Sequence, residues 1–235
     1  MSANELTDVD LLLRGELTVL GRMPHSSNAT LLCTVTHEDR SERAIYKPLK
    51  GERPLWDFDP GLHRREVAAY RLSVAMGFDI VPPTILRDGP FGEGSVQLFI
   101  DHDPNLHYFT LLESRPELHD PLRAMCAFDI VANNTDRKAG HVIVDKHDHV
   151  WGIDHGVCFS AEFKLRTVIW EFATEPLPDS VATAVSAVAD NVPLDVASLL
   201  TDEDVAAIID RAGWLRDGGH FPVDQSGSRY PWPLI

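Results

Sequence analysis

Short apolar runs bounded by turn residues dominate the first hundred positions, and this pattern predicts strands joined by tight turns. The candidate strands cover residues 16–20, 29–35, 43–48, 80–86 and 95–100. Between them, residues 62–76 have helical spacing, and Gly77 follows at the usual position for a helix end. We therefore predict a small antiparallel sheet with one helix in this part of the chain.

The spacing of apolar side chains predicts that the remaining sequence is mostly helical. Apolar side chains recur at helical spacing in residues 121–132, 179–188 and 194–200, and Thr201 opens a capped helix that continues through Trp214. Two short β-type runs, 142–144 and 150–153, flank a polar turn and predict a hairpin. Residues 218–235 contain paired glycines and several prolines, which favours irregular structure.

Lys47 and Glu66 are the first candidates for chemistry. Lys47 lies at the end of a predicted strand, just before Pro48, which cannot donate to a strand ladder. Glu66 shares one face of the predicted helix with Tyr70. An ion pair between them would hold the ammonium rigidly toward the phosphates of a nucleotide. The alternative is that Glu66 is a solvated acid among basic neighbours.

The strongest candidate chemistry lies around two aspartates. Asp136 sits in a polar loop after an apolar helix, and Asp154 precedes His155 and Gly156 at the end of the predicted hairpin. Because one loop and one tight hairpin separate them, the two carboxylates are expected to return to the same cleft. Such a pair suits phosphoryl transfer: Asp136 would deprotonate an acceptor hydroxyl, and Asp154 would hold the metal that neutralises the phosphates.

Composition narrows the classes of partner. The 235 residues carry 36 acidic and 21 basic side chains, a formal net charge of -15, which argues against nucleic acid and anionic membrane surfaces as main partners. Three widely spaced cysteines with no paired spacing fit a reducing cytoplasm. The N-terminus lacks a signal-peptide pattern, and no apolar run reaches the roughly 20 residues of a membrane span. We therefore expect a cytoplasmic protein that is not integral to a membrane.

Two further sets of residues are candidates for nucleotide contacts. Ser26, Ser27 and Asn28 lie in a turn between strands, where side-chain and backbone donors can meet phosphate oxygens. The alternative is an ordinary turn. Phe99 and Ile100 end a predicted strand. In a two-lobed kinase, the chain crosses between the lobes at this point, and its backbone groups meet the edge of the adenine. They are equally compatible with a core strand.

These motifs occur in a fixed order, and together they resemble the phosphatidylinositol 3- and 4-kinase superfamily. The type II phosphatidylinositol 4-kinases are the nearest group, and the chain looks like a compact, functionally unassigned actinobacterial branch. The resemblance implies an α+β, bilobal protein-kinase-like fold with a small antiparallel-sheet N-lobe and a mostly helical C-lobe. It also implies one domain, 1–235, with lobes 1–100 and 101–235. The matching segments are Tyr46-Lys47-Pro48, Arg65 to Tyr70, Gly77 to Thr84, Asn134 to Arg137 and Ile153 to Gly156.

The resemblance also implies roles for individual residues. Lys47 would contact the phosphates of ATP and Glu66 would support it, Asp136 would be the catalytic base, and Asp154 would be the principal ligand of Mg²⁺ or Mn²⁺. Arg137 would be a structural or phosphate-facing partner of the base.

One position departs from the family pattern. Where these kinases use an asparagine as second metal ligand, this chain has His141. Imidazole suits Mn²⁺ better than Mg²⁺, so a manganese preference, one-metal catalysis or weakened activity would follow. The sequence therefore predicts an ATP-dependent phosphotransferase acting on a hydroxyl, with a nucleotide-binding pseudokinase or regulatory module as the alternative. A protein or small polar molecule is the expected acceptor. An inositol lipid is disfavoured because residues 157–167 carry few basic side chains.

Overall fold

A computed structural model describes residues 6–24 and 28–235 of the protein. The chain divides into two compact units. The first comprises Met1–Val67 and Pro82–Ile100, and the second comprises Ala68–Val81 and Asp101–Ile235. The single-domain assignment, with lobes 1–100 and 101–235, stays a prediction.

The first unit contains a five-stranded antiparallel sheet in the order β1-β2-β3-β5-β4, preceded by a short helix, α1. The helix was not predicted, because its seven residues carry too few turns for a clear periodicity. Thr7 caps it by accepting the N–H of Asp10. The bounds are α1 Asp8–Arg14, β1 Glu16–Arg22, β2 Leu31–His37, β3 Arg40–Pro48, β4 Thr84–Gly89 and β5 Gly92–Leu98.

Alternation along β3 determines which side chains reach the core of this unit. Ala44 and Tyr46 are fully buried and join Leu11 and Leu12 of α1 in one apolar cluster. Because successive strand residues point to opposite faces, Lys47 leaves the sheet on the other side. The packing of the core therefore fixes the direction of the lysine.

The strand predicted at residues 80–86 begins only at Thr84, so this prediction was wrong at its start. Pro82 and Pro83 have no N–H and cannot donate to a ladder. Ile80 bonds elsewhere: its N–H donates to Ser73 Oγ at 3.0 Å, and its carbonyl accepts the N–H of Gly152 at 2.6 Å. The next strand is also displaced, since β5 ends at Leu98 instead of at residue 100.

Helix α2, Leu62–Ala75, confirms the predicted helix to within one residue. It ends where Gly77 adopts a left-handed conformation with φ of +66°. There the N–H of Gly77 bonds the carbonyl of Val74 and that of Phe78 bonds the carbonyl of Ser73, which satisfies carbonyls of the last turn.

The second unit is mostly helical and has one two-stranded hairpin. Its core joins apolar side chains of α4, α5 and α7 with those of the hairpin and the segment after it. Helix α3 was not predicted, α6 is shorter than expected, and α7 is longer. The bounds are α3 Tyr108–Ser114, α4 His119–Ala132, β6 Val142–Val144, β7 Val150–Gly152, α5 Asp179–Asp190, α6 Leu194–Ala197 and α7 Asp202–Gly218.

The antiparallel sheet and the mostly helical remainder confirm the predicted α+β class. Within residues 6–24 and 28–235, no helix combines the length and the apolarity that a membrane crossing requires.

Candidate active site

Lys47 and Glu66 meet in the first unit. The Lys47 ammonium donates to Glu66 Oε1, and the two side chains form an ion pair. The lysine lies on β3, where strand alternation directs its side chain away from the apolar cluster, and the glutamate lies in the first half of α2. Glu66 is only 2% exposed, so its carboxylate is held in the protein while the lysine remains partly accessible. The geometry excludes the alternative of a solvated glutamate.

The structure gives less support to the other predicted nucleotide contacts of the first unit. Ser26 and Ser27 lie outside the described residues. The Asn28 side chain accepts the N–H of Arg53 at 2.9 Å, so its oxygen supports the neighbouring loop. The N–H of Phe99 donates to the carbonyl of Arg43, and the Arg43 guanidinium stacks over the phenyl ring at 4.5 Å. The half-buried Ile100 closes the first unit.

In the second unit, the end of α4 sets the course of the loop that carries Asp136. Asn133 adopts a left-handed conformation with φ of +49°, which terminates the helix. Its side chain donates to the carbonyls of Ser160 and Glu162, tying the helix end to the segment after Asp154. The loop is thus anchored before it reaches the aspartate.

The side chain of Asn134 connects the end of α4 to the backbone of Asp136. Asn134 is fully buried, and its side-chain nitrogen donates to Asp129 Oδ1 at 3.0 Å. Its side-chain oxygen accepts the N–H of Asp136 at 3.0 Å. The backbone of Asp136 is therefore fixed, while its carboxylate remains 35% exposed and able to meet a solute.

Arg137 is the central residue of a buried polar network. Its guanidinium is fully buried and bonds the Asp129 carboxylate through Nε and Nη2, at 2.9 to 3.1 Å. Burial by itself lowers the pKa of Arg137, but the charge and hydrogen bonds of Asp129 outweigh it and raise that pKa above its ordinary value. Arg137 is therefore charged, and its burial favours the structural alternative over a phosphate-facing one.

The same guanidinium holds the chain on both sides of Asp154. Nη1 donates to the carbonyl of Ile153 at 3.0 Å, and Nη2 donates to Nε2 of His155 at 2.7 Å. Gly152 permits this approach, because a Cβ there would lie 3.3 Å from both terminal nitrogens of Arg137. Asp154 itself has φ of +62° and a side chain that is 55% exposed. Aspartate tolerates this left-handed conformation better than most residues, and such strain is common at functional sites.

Two basic side chains lie beside the two aspartates. Lys138 Nζ donates to Asp136 Oδ2 at 2.7 Å. His141 faces Asp154, with Nε2 at 3.7 Å from Oδ2, and its Nδ1 accepts the N–H of Lys138 at 3.4 Å. Burial lowers the pKa of His141 below its ordinary value, against the opposing attraction of Asp154. A neutral imidazole therefore faces the carboxylate.

The exposed carboxylate of Asp154 is a suitable ligand for Mg²⁺ or Mn²⁺, which prefer oxygen. Among the described residues no group of three or more histidine, cysteine, aspartate or glutamate side chains is arranged to hold a metal ion. This fits Mg²⁺ sites of phosphoryl-transfer enzymes, where one or two carboxylates act together with substrate phosphates. The donor set is therefore compatible with a divalent ion bound together with a nucleotide.

Sequence reasoning did not assign roles to Asp129, Asn134 and Lys138. Asp129 carried a usable signal, since a charged residue inside the apolar helix α4 requires a buried partner. Lys138 follows Asp136 by two positions, which is close enough for a local ion pair. Only the folded chain identifies Arg137 as the partner of Asp129.

Comparison with a curated relative establishes the family. The protein is 37% identical over 262 aligned positions to protein Rv2133c of Mycobacterium tuberculosis, which covers 96% of this chain and 94% of the relative. Residues 84–190 match the family described as phosphatidylinositol 3- and 4-kinase. The chain belongs to the phosphatidylinositol 3- and 4-kinase-like superfamily. The predicted recognition is thereby confirmed, and the matched region of this kinase-like chain includes Asp136 and Asp154.

Solved structures support the same fold for this superfamily member. A Fam20 protein of hydra, determined with sugar, superposes with a TM-score of 0.60 at 14% identity over 90% of this chain and 88% of that one. The proinflammatory kinase CtkA of Helicobacter pylori gives a TM-score of 0.50 at 12% identity over 88% and 94%. At these identities the likeness shows the fold alone. Family and fold together support a kinase-like phosphotransferase.

Proposed function

We propose that the protein is an ATP-dependent phosphotransferase that transfers the γ-phosphate to a hydroxyl acceptor, and that residues 1–235 act as one kinase-like domain. The observation that carries the proposal is the Arg137 network. Arg137 directly follows Asp136 in the chain and bonds the residues on both sides of Asp154, the carbonyl of Ile153 and the side chain of His155. The loops of both carboxylates are thus braced by one buried guanidinium, as a base and a metal ligand of the same reaction require.

The proposal gives each charged side chain a separate role. Lys47, oriented by Glu66, binds nucleotide phosphates through its ammonium. Asp136 accepts a hydrogen bond from the acceptor hydroxyl and takes its proton as the oxygen attacks the γ-phosphorus and the bond from that phosphorus to the oxygen of the departing ADP breaks. Lys138 orients the Asp136 carboxylate and adds positive charge beside it. Arg137 positions both aspartates without touching substrate.

Asp154 is the proposed ligand of a divalent ion. When bound there, Mg²⁺ or Mn²⁺ would neutralise negative charge on the phosphates. The partial exposure of Asp154 supports this assignment, since a carboxylate that must reach a hydrated ion cannot be fully covered.

Radiolabel transfer from γ-labelled ATP tests the proposal, with the protein itself, a generic protein, inositol and water as acceptors. We expect transfer by the wild type, and losses of about 10²-fold or more in Asp136→Asn and Asp154→Asn. Asp120→Asn is the matched control, because this carboxylate is 89% exposed at the far end of α4. The control should retain wild-type transfer.

Calorimetry with ATP and either Mg²⁺ or Mn²⁺ separates the proposal from the second candidate, a nucleotide-binding module without turnover. The replacement of a metal-binding asparagine by His141 favours that candidate. Nucleotide binding without transfer to any acceptor would support it. Absence of both binding and transfer would refute both functions.

A further inference from the structure

The His141 ring is fixed by its own segment of the chain. Residues 139–141 form a single 3₁₀ turn, in which Nδ1 accepts the N–H of Lys138 at 3.4 Å. The His141 carbonyl accepts the N–H of Ile153 at 2.9 Å, so the backbone is bonded to the residue before Asp154. The ring and the backbone of His141 are therefore both tied to neighbours of the two aspartates.

These contacts determine which ring nitrogen carries the hydrogen. A nitrogen that accepts an N–H uses its lone pair, so Nδ1 carries no hydrogen and the ring hydrogen resides on Nε2. Nε2 is the nitrogen that faces Asp154 Oδ2, at 3.7 Å. An N–H pointed at a carboxylate attracts it, but this nitrogen has no lone pair to give to a metal.

The opposite tautomer is disfavoured by the same geometry. Binding a metal through Nε2 would move the ring hydrogen to Nδ1, where it would meet the N–H of Lys138. Two donors would then face each other in a side chain that is only 17% exposed, where water can compensate little. The ring would have to turn away from its present contacts before it could bind a metal.

We propose that His141 is a positioning residue that steers the Asp154 carboxylate through its Nε2–H and does not bind the metal. The inference rests on the proposed function, because it concerns the divalent ion that Asp154 would hold. It changes the expectation drawn from the sequence: if no imidazole coordinates the ion, the site consists of oxygen ligands and does not select Mn²⁺ over Mg²⁺ by nitrogen ligation.

Pulsed electron paramagnetic resonance of Mn²⁺ with ADP tests the assignment on the wild-type protein. Histidine with isotopically labelled ring nitrogens gives a strong hyperfine coupling only when such a nitrogen is bound to Mn²⁺ directly. We expect bound Mn²⁺ without that coupling. A direct coupling that disappears in His141→Ala and persists in His147→Ala would overturn the inference while leaving the proposed function intact. His147 is a matched control because it lies at the exposed tip of the hairpin.

Metal affinity tests the positioning role itself. Loss of a neighbouring side chain that orients a metal ligand typically weakens metal affinity by about tenfold or more. We expect this loss in His141→Ala and equally in His141→Phe, which restores the ring volume but has no N–H. Full affinity in His141→Phe would show that the ring only fills space, and would overturn the inference. If the wild type bound no Mn²⁺ with or without ADP, the proposed function would fail, and this assignment would fail with it.

Discussion

Replacing Arg137 by methionine tests the idea that one buried guanidinium braces the candidate site. The substitution keeps an extended side chain in the cavity but removes the charge and all donors. Asp129 then loses its ionic partner, the Ile153 carbonyl loses a donor, and so does Nε2 of His155. The predicted cost therefore has little to do with lost packing.

The size of the stability loss depends on the hydrogen-bond donors that Asp129 keeps after the substitution. Breaking a buried ion pair by removing one partner typically costs about 3–5 kcal/mol, because it leaves an uncompensated charge. Asp129 keeps two neutral donors, the side-chain nitrogen of Asn134 and the hydroxyl of Thr167. We therefore place the loss for Arg137→Met at the lower end, about 3 kcal/mol of unfolding free energy.

Urea unfolding followed by tryptophan fluorescence measures this loss. Four of the five tryptophans lie in the second unit and one, Trp56, lies in the first, so the signal mainly reports the unit that contains Arg137. With a urea m-value of about 2 kcal/mol per molar, the midpoint should fall by about 1.5 M. Arg166→Met is the control, because Arg166 is an exposed arginine of the same unit and its replacement should change stability by less than about 0.5 kcal/mol.

A double-mutant cycle with Asp129→Leu separates the ion pair from other effects. Once Arg137 is replaced by methionine, removing the Asp129 charge should cost much less, so the two losses should fall short of additivity by about 2 kcal/mol. A loss below about 1 kcal/mol in Arg137→Met, or additive losses in the cycle, would refute the reasoning.

Two further predictions concern stability elsewhere. The buried His63 bonds Glu52 through Nδ1 at 2.7 Å and Glu93 through Nε2 at 3.1 Å; burial alone lowers its pKa, but these hydrogen bonds outweigh burial and raise it. The stabilisation that His63 gives to the folded protein is complete below the unfolded pKa of 6.5 and is lost as pH rises through the folded pKa. In urea titrations at several pH values, the stability advantage of the wild type over His63→Gln should therefore shrink across that pH window. A stability difference between the two proteins that does not change with pH would contradict this. Thr201→Ala removes the hydroxyl that accepts an N–H of the first turn of α7, and it should lower the free energy of unfolding, measured by thermal unfolding, by about 1 kcal/mol. Thr201→Ser keeps a hydroxyl and should be close to neutral. Equal losses of stability in the two variants would exclude a capping role for Thr201.

Local patterns in the sequence predicted most elements and the main candidate residues. Turn residues and apolar runs identified the strands around Lys47, and helical spacing identified α2 with Glu66 on it. These predictions succeeded because alternation in strands, helical periodicity and capping depend on residues only a few positions apart. The same locality explains the failures: α1 and α3 are too short to show a period, and the prolines at 82 and 83 moved the start of β4.

The tertiary structure alone decided how the candidate site is held. Sequence motifs identified Asp136, Asp154 and Arg137 as polar residues in the right order, but a charged residue does not reveal whether it is solvated or buried. Arg137 proved to be fully buried on Asp129, with contacts to Ile153 and His155 that only folding brings near. Likewise, the position of His141 in the family pattern suggested that it could bind a metal, whereas the surroundings of its two ring nitrogens depend on the 3₁₀ turn and on the segment after β7. Residue type sets what chemistry is possible, and the geometry of hydrogen-bond donors and acceptors selects among those possibilities.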